Sequence, residues 1–172
     1  MKKLALSAIV FIFMVSVSCK KDNVDDAEVS IFLQDAPALS YDKIKIELKG
    51  VSIYSQTAGS WVSLNVTNGV FDLLTLNSTN QAFLGKIKLV GGNISQLQLS
   101  IGNQNTVTVG GINYPLVLDS TDFDKLKVKI DNNINGGTSY KLTIDFKAQE
   151  SIDNSGNVYK LKASLKITVK EI

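Results

Sequence analysis

The feature that most limits what this chain can become is a two-residue alternation of apolar and polar side chains, repeated along most of its length. It is cleanest near the end. Tyr159, Leu161, Ala163, Leu165, Ile167 and Val169 share one parity; Lys160, Lys162, Ser164, Lys166, Thr168 and Lys170 share the other. Successive side chains of a β-strand point to opposite faces, so such a segment buries one face and wets the other. A helix would scatter the same residues around its circumference.

The same pattern recurs upstream. Val29, Ile31 and Leu33 alternate with Ser30, Phe32 and Gln34, until Asp35-Ala36-Pro37-Ala38 breaks the strand. Ile44, Ile46 and Leu48 alternate with lysines and Glu47, and then Val51 and Ile53 continue on the other parity. A strand changes face only by taking in an extra residue, which predicts a β-bulge at about Gly50. Ser55 to Ser60 is a turn and Val62, Leu64 and Val66 the return strand. Val70 to Leu76 is dense enough in apolar residues to be a central strand covered on both sides, while Gln81 to Leu89 fits a short helical turn or a strand equally well. Leu97, Leu99 and Ile101 form another alternating run. Gly110-Gly111 fits a two-residue hairpin turn. Pro115 cannot donate to a ladder, which places its strand at a sheet edge. Leu126, Val128 and Ile130 precede a turn over Asp131 to Gly137, and Leu142, Ile144, Phe146 and Ala148 follow it. About ten short strands at this spacing, with no long amphipathic helix, predict an all-β antiparallel β-sandwich, with Greek-key connections as one option. The domain is expected over residues 28–172.

The remaining N-terminal part has a different character. Lys2 and Lys3 precede an apolar run, Leu4 to Val17, that is interrupted only by Ser7 and Ser16. It is shorter than the ~20 residues a spanning helix needs, and reads as a removable export signal over residues 1–18. The run ends in Val15-Ser16-Val17-Ser18-Cys19, and Cys19 is the sole cysteine. These residues resemble the lipobox of bacterial lipoproteins, although Ser16 stands where leucine is commonest. The resemblance implies cleavage before Cys19 and palmitate-type acylation of it, with the membrane as partner. Residues 19–27 would then be the lipidated cysteine and a flexible tether. The charged run Lys20 to Asp26 is similar to segments that route some lipoproteins to the outer face of the outer membrane.

Once Lys2 and Lys3 leave with the signal, the 18 basic residues fall to 16 and balance the 16 acidic ones. Every basic residue is lysine, so nucleic acid is not an expected partner. The chain also has no histidine. That removes the usual general base and the commonest transition-metal ligand, and no Ser–His or Cys–His set can form.

Several motifs in order resemble the bacterial family called domain of unknown function 4382. They are Ser30-Ile31-Phe32-Leu33-Gln34-Asp35-Ala36-Pro37, Tyr41-Asp42-Lys43-Ile44, Trp61-Val62-Ser63-Leu64, Phe71-Asp72-Leu73-Leu74-Thr75-Leu76 and Ser95-Gln96-Leu97-Gln98-Leu99. Asn105-Thr106-Val107, Tyr114-Pro115-Leu116 and Asp145-Phe146 with Ser151-Ile152 continue the series. Gln98 stands where that family usually carries arginine. The resemblance implies an exported or lipid-anchored β-sandwich of the envelope, and implies no activity and no catalytic residues.

Four groups are candidate sites. Asp131, Asn133 and Asn135, followed by Gly136, match the first half of a calcium loop, but Leu142 holds the place of the bidentate glutamate. A plain turn explains the same residues. Tyr54 and Trp61 flank a turn and share the parity opposite Ile53 and Val62, so they could stack on sugar rings or simply on each other. Asp119, Asp122 and Asp124 form an acidic cluster in one predicted loop, poorly spaced for a two-carboxylate glycosidase. Asp119-Ser120-Thr121 also resembles a short acceptor pattern for O-linked glycans. Lys160, Lys162, Lys166 and Lys170 line one predicted face, suited to an acidic polysaccharide or to solubility. The expected function is a non-enzymatic binding or adhesion module for glycan or an envelope protein. A structural accessory of the outer membrane is the alternative, and a carboxylate hydrolase the third reading. No cofactor is expected beyond that calcium.

Overall fold

The computed structural model describes residues 25–35, 40–67, 69–118, 125–156, 158–162 and 164–172. The predicted signal, Cys19 and the Asp119, Asp122, Asp124 cluster lie outside the described residues. In chain order the first strands are β1 (Asp26–Gln34), β2 (Lys43–Ser55), β3 (Ser60–Asn65), β4 (Val70–Asp72), β5 (Ala82–Val90), β6 (Gly92–Ile101) and β7 (Thr106–Val109). Then come β8 (Ile112–Leu118), β9 (Lys125–Ile134), β10 (Ser139–Asp145), a single turn of helix α1 (Ala148–Ser151), β11 (Ile152–Ser155), β12 (Val158–Leu161) and β13 (Lys166–Glu171).

The strands form two packed sheets, and the expected β-sandwich is what the chain adopts. The smaller sheet has the order β13-β10-β1-β5. The larger runs β11-β12-β8-β7-β2-β6-β9, with β3 and β4 also paired to β2. Pairing is antiparallel except for β1 with β10 and β12 with β8. The core lies between the sheets and is built from the alternating apolar positions: Val29, Ile31, Leu142 and Ile144 on one side, Val51, Ile53, Leu97 and Leu99 on the other, all fully buried. Each contributes roughly 1.5–3 kcal/mol of transfer free energy.

β2 is the strand on which the large sheet turns. Its first half pairs β7 and β4, and its second half pairs β3 and β6. The predicted slip is present: pairing with β6 jumps between Leu48 and Gly50, so the buried parity changes from Ile44, Ile46 and Leu48 to Val51 and Ile53. Glycine is required at position 50, because a Cβ there would lie 2.8 Å from the Leu64 carbonyl oxygen. The Gly110-Gly111 hairpin also forms, with Val109 opposite Ile112.

Other expectations change. Of Gln81 to Leu89, the stretch from Ala82 onward resolves as strand, within β5. Val70 to Leu76 is no central strand. It is the short β4 followed by a 3-10 turn over Leu73–Thr75, which Asp72 caps by accepting a hydrogen bond from Leu74 N at 3.3 Å. Asp131 to Ile134 belongs to β9, and the turn begins only at Asn135. β8 is interior, not an edge: Pro115 pairs with Thr106 on one side, and β12 takes up pairing on the other side from Leu116 onward.

The cleanest predicted strand is two strands. β12 lies in the large sheet and β13 in the small one. The parity survives because both sheets bury their inner faces against the same core. Buried Ser151 sits at the crossover, where its hydroxyl donates to the Phe146 carbonyl at 2.8 Å, with the Ser164 carbonyl 3.2 Å away as the alternative acceptor. Asp35 steadies the same corner by accepting from Ala148 N at 2.8 Å.

Candidate functional site

The outer face of the large sheet is a ribbon whose rows are set by register. Trp61, Tyr54, Gln96 and Lys129 occupy one row across β3, β2, β6 and β9, and Ser63, Ser52, Gln98 and Lys127 the next. The β2–β3 hairpin holds the aromatic end: Ala58 N donates to Ser55 Oγ at 3.2 Å, and Gln56 N donates to the Asn93 carbonyl at 2.9 Å. Tyr54 and Trp61 meet edge to face, with centroids 5.4 Å apart and planes at 64°. Trp61 remains 38% exposed. Ser52 and Ser63 hydroxyls bond at 2.8 Å beside them. One outer face thus carries rings, hydroxyls, amides and ammonium groups in adjacent rows.

The ribbon's aromatic end is also the end at which the N-terminal segment enters. Gly91 N donates to Asp25 O at 3.4 Å and Gly137 N to Asp26 O at 3.1 Å. These bonds bring the β5–β6 and β9–β10 turns to the start of β1, and Asn93 ties the β2–β3 hairpin to the same end.

The calcium candidates do not share one loop. Asp131 is the extra residue of a bulge in β9, with φ 54°, and accepts from Asn93 Nδ2 at 3.0 Å. Asn133 lies opposite Asn93 in the ladder, and Asn135 N donates to the Tyr140 hydroxyl at 2.9 Å in the turn beyond. Aspartate tolerates this left-handed backbone better than most residues, which accounts for its presence there. Among the described residues no three carboxylate, histidine or cysteine groups gather where an ion could sit.

A groove of about 580 Å³ runs between Lys49, Ile101–Asn103, Asn105 and Leu116–Leu118. One wall is a polar knot. Glu47 pairs with Lys49, its Oε2 accepts from Gln104 N at 3.0 Å, and its own N donates to Asn105 Oδ1 at 2.8 Å. The Lys49 bond, then the Gln104 N–H, hold the Glu47 carboxyl below its ordinary range. A carboxyl held in that state fastens the 101–105 loop to β2. A general acid at neutral pH needs the opposite shift.

The lysine stripe is divided between the sheets. Lys160 and Lys162 stay with β12 and the chain just beyond it, where Lys162 pairs with Asp153 at 2.8 Å, and Lys166 and Lys170 join the small sheet. Sequence reasoning missed an aromatic pair there. Phe32 and Phe83 meet on the outer face of β1 and β5, with centroids 5.2 Å apart. Phe32 was visible as an apolar residue on the polar parity of β1. Phe83 was hidden, because it shares the inward parity of Ile87 and Leu89.

A family described as "Domain of unknown function (DUF4382)" matches residues 26–163. No curated protein matches. Among solved structures, a candidate cell adhesion protein from Parabacteroides distasonis is 13% identical, with TM-score 0.48, over 86% of this chain and 51% of that one. Another so described, from Bacteroides eggerthii, is 15% identical with TM-score 0.38, over 85% of this chain and 55% of that one. The chain therefore spans about half the length of these proteins. Among the described residues no helix is long and apolar enough to cross a membrane.

Proposed function

The chain belongs to the DUF4382 family, and from that premise we propose that it is a non-enzymatic binding module of the bacterial cell envelope, held to the outer membrane by lipid on Cys19. The observation that carries the binding reading is the Tyr54–Trp61 pair on a polar, solvent-facing ribbon. The ligand class is glycan, met by the rings and by Gln96, Ser52, Ser63 and Lys129.

The sole cysteine at the end of an apolar run supports the anchor. β1 begins at Asp26, so seven residue steps separate it from Cys19, a reach of at most about 25 Å. The aromatic end of the ribbon is the end at which β1 begins, which favours a glycan close to the bilayer. Palmitate labelling of wild type and of Cys19→Ala tests the anchor; equal labelling of the two refutes it.

A glycan array with the detergent-purified full chain tests the ligand class. Binding that Trp61→Ala abolishes, with the melting temperature within a few degrees of wild type, is the expected result. If no glycan on the array loses its binding in Trp61→Ala, the assignment is overturned and the pair is left as a cross-strand contact of about 0.2–1 kcal/mol.

A further inference from the structure

The second aromatic pair is placed by a backbone irregularity. In β5, Gly85 is opposite Ile31 and Phe83 is opposite Phe32, so Leu84 is an extra residue. Without it the alternation would send Phe83 into the core and Leu84 to solvent. The bulge reverses them: Leu84 is 9% exposed and Phe83 is 55% exposed. Burying the larger Phe83 would be the more favourable choice for the core alone. Bulges commonly re-aim a side chain next to a functional site.

The surroundings of the pair are cationic. The Lys141 ammonium stands 4.6 Å from the Phe32 ring centroid. Register puts Lys141 and Lys170 in one row with Ser30 and Lys86, and Thr143 and Thr168 in the row of the phenylalanines. Lys88 and Lys166 complete five lysines on this face, against Asp26, Glu28 and Asp145. Glu28 is already engaged by Lys86 at 2.6 Å.

We infer that this outer face of the small sheet is a binding site for an anionic polysaccharide: the exposed ring of Phe83 stacks on a sugar ring, and Lys141 and Lys170 meet its carboxylates. A sheet face with one protruding ring suits a polymer lying across the strands. An anionic membrane is the other partner such chemistry could meet. The polymer is favoured because the row Lys170, Lys141, Ser30 and Lys86 crosses all four strands of the sheet, as the repeating acidic units of a chain would. The site is separate from the Tyr54–Trp61 ribbon, which lies on the other sheet.

The test titrates the full chain in mild detergent with polygalacturonate, using neutral dextran and phosphatidylglycerol vesicles as the other arms. Polygalacturonate should bind and dextran should not, and added salt should weaken the binding. Phe83→Ala and Lys141→Gln should each lower the affinity about fivefold, the equivalent of about 1 kcal/mol. Trp61→Ala should leave it unchanged, which separates this site from the glycan ribbon. Melting curves confirm that each variant is folded, and Phe83→Leu, which keeps an apolar contact without the ring, carries the same expectation if alanine does not fold. The inference is overturned if polygalacturonate does not bind, if neither face variant weakens it, or if the vesicles bind and the polysaccharide does not.

Discussion

Gly85 is the residue on which the small sheet's outer face depends, and replacing it with alanine tests that dependence. Its φ is +143°, a backbone conformation that residues with a Cβ rarely adopt. An alanine Cβ would also lie 2.9 Å from Leu64 Cδ1 and 3.0 Å from Cδ2. Leu64 is half-buried and its methyls can yield, so the backbone is the main cost, about 1–3 kcal/mol for a residue forced into such a region. At about 2–4 °C per kcal/mol for a domain of this size, the melting temperature should fall by roughly 2–12 °C. Gly110→Ala is the control. Its φ is also positive, +56°, but lies near the left-handed helical region and nothing sits within 4 Å of the added Cβ. Urea denaturation of both variants supplies the comparison. Gly85→Ala should lose more stability than Gly110→Ala at an unchanged slope. A smaller loss in Gly85→Ala would mean that the β5 bulge is not held by that backbone conformation, and the account of how Phe83 reaches the surface would fail with it.

Two further outcomes follow from the interior. Ser151→Ala removes the buried donor that the Phe146 carbonyl accepts from at the sheet crossover and should cost about 1–3 kcal/mol in urea denaturation; a loss under about 0.5 kcal/mol would show that the hydroxyl does not secure the corner. Glu47 should contribute to acid sensitivity, because Lys49 and then Gln104 N–H hold its folded pKa below the ordinary 4.5. The stability it adds is complete above the unfolded value and is lost as pH falls through the folded one. Glu47→Gln should therefore flatten the acid limb of melting temperature against pH below about 4.5, and a limb of unchanged steepness would refute the assignment.

Much of this fold is legible where a side chain's own parity decides its fate. β1, the slip in β2 and the β7–β8 hairpin can be read because burial alternates with position and because glycine marks the backbone exceptions. Legibility fails where two different arrangements share one parity. Tyr159 to Val169 reads as one strand since both sheets bury against a common core, and nothing in the alternation records that the chain changes sheet. Val70 to Leu76 reads as doubly covered, yet Val70 is 45% exposed and Asp72 spends its carboxylate capping a turn. The Tyr54–Trp61 pair was legible because a tight hairpin joins its strands. Phe32 and Phe83 are 51 positions apart and meet only through a bulge.

The two aromatic faces also bear on how strongly such a module can hold anything. A stacked ring and a few exposed lysines each supply about 1 kcal/mol, so one chain gripping one polymer segment reaches only the millimolar range, about 4 kcal/mol. A polysaccharide repeats the same acidic unit, and a lipid anchor would array many copies of the chain on one surface. Once one copy has engaged, the effective concentration at its neighbours is itself millimolar for short linkers, which raises avidity by about 10²–10⁴ without any new contact. Weak binding by the isolated chain is therefore the expected physical signature of this face, and tight monovalent binding would point to a deeper site than the outer surface of the small sheet provides.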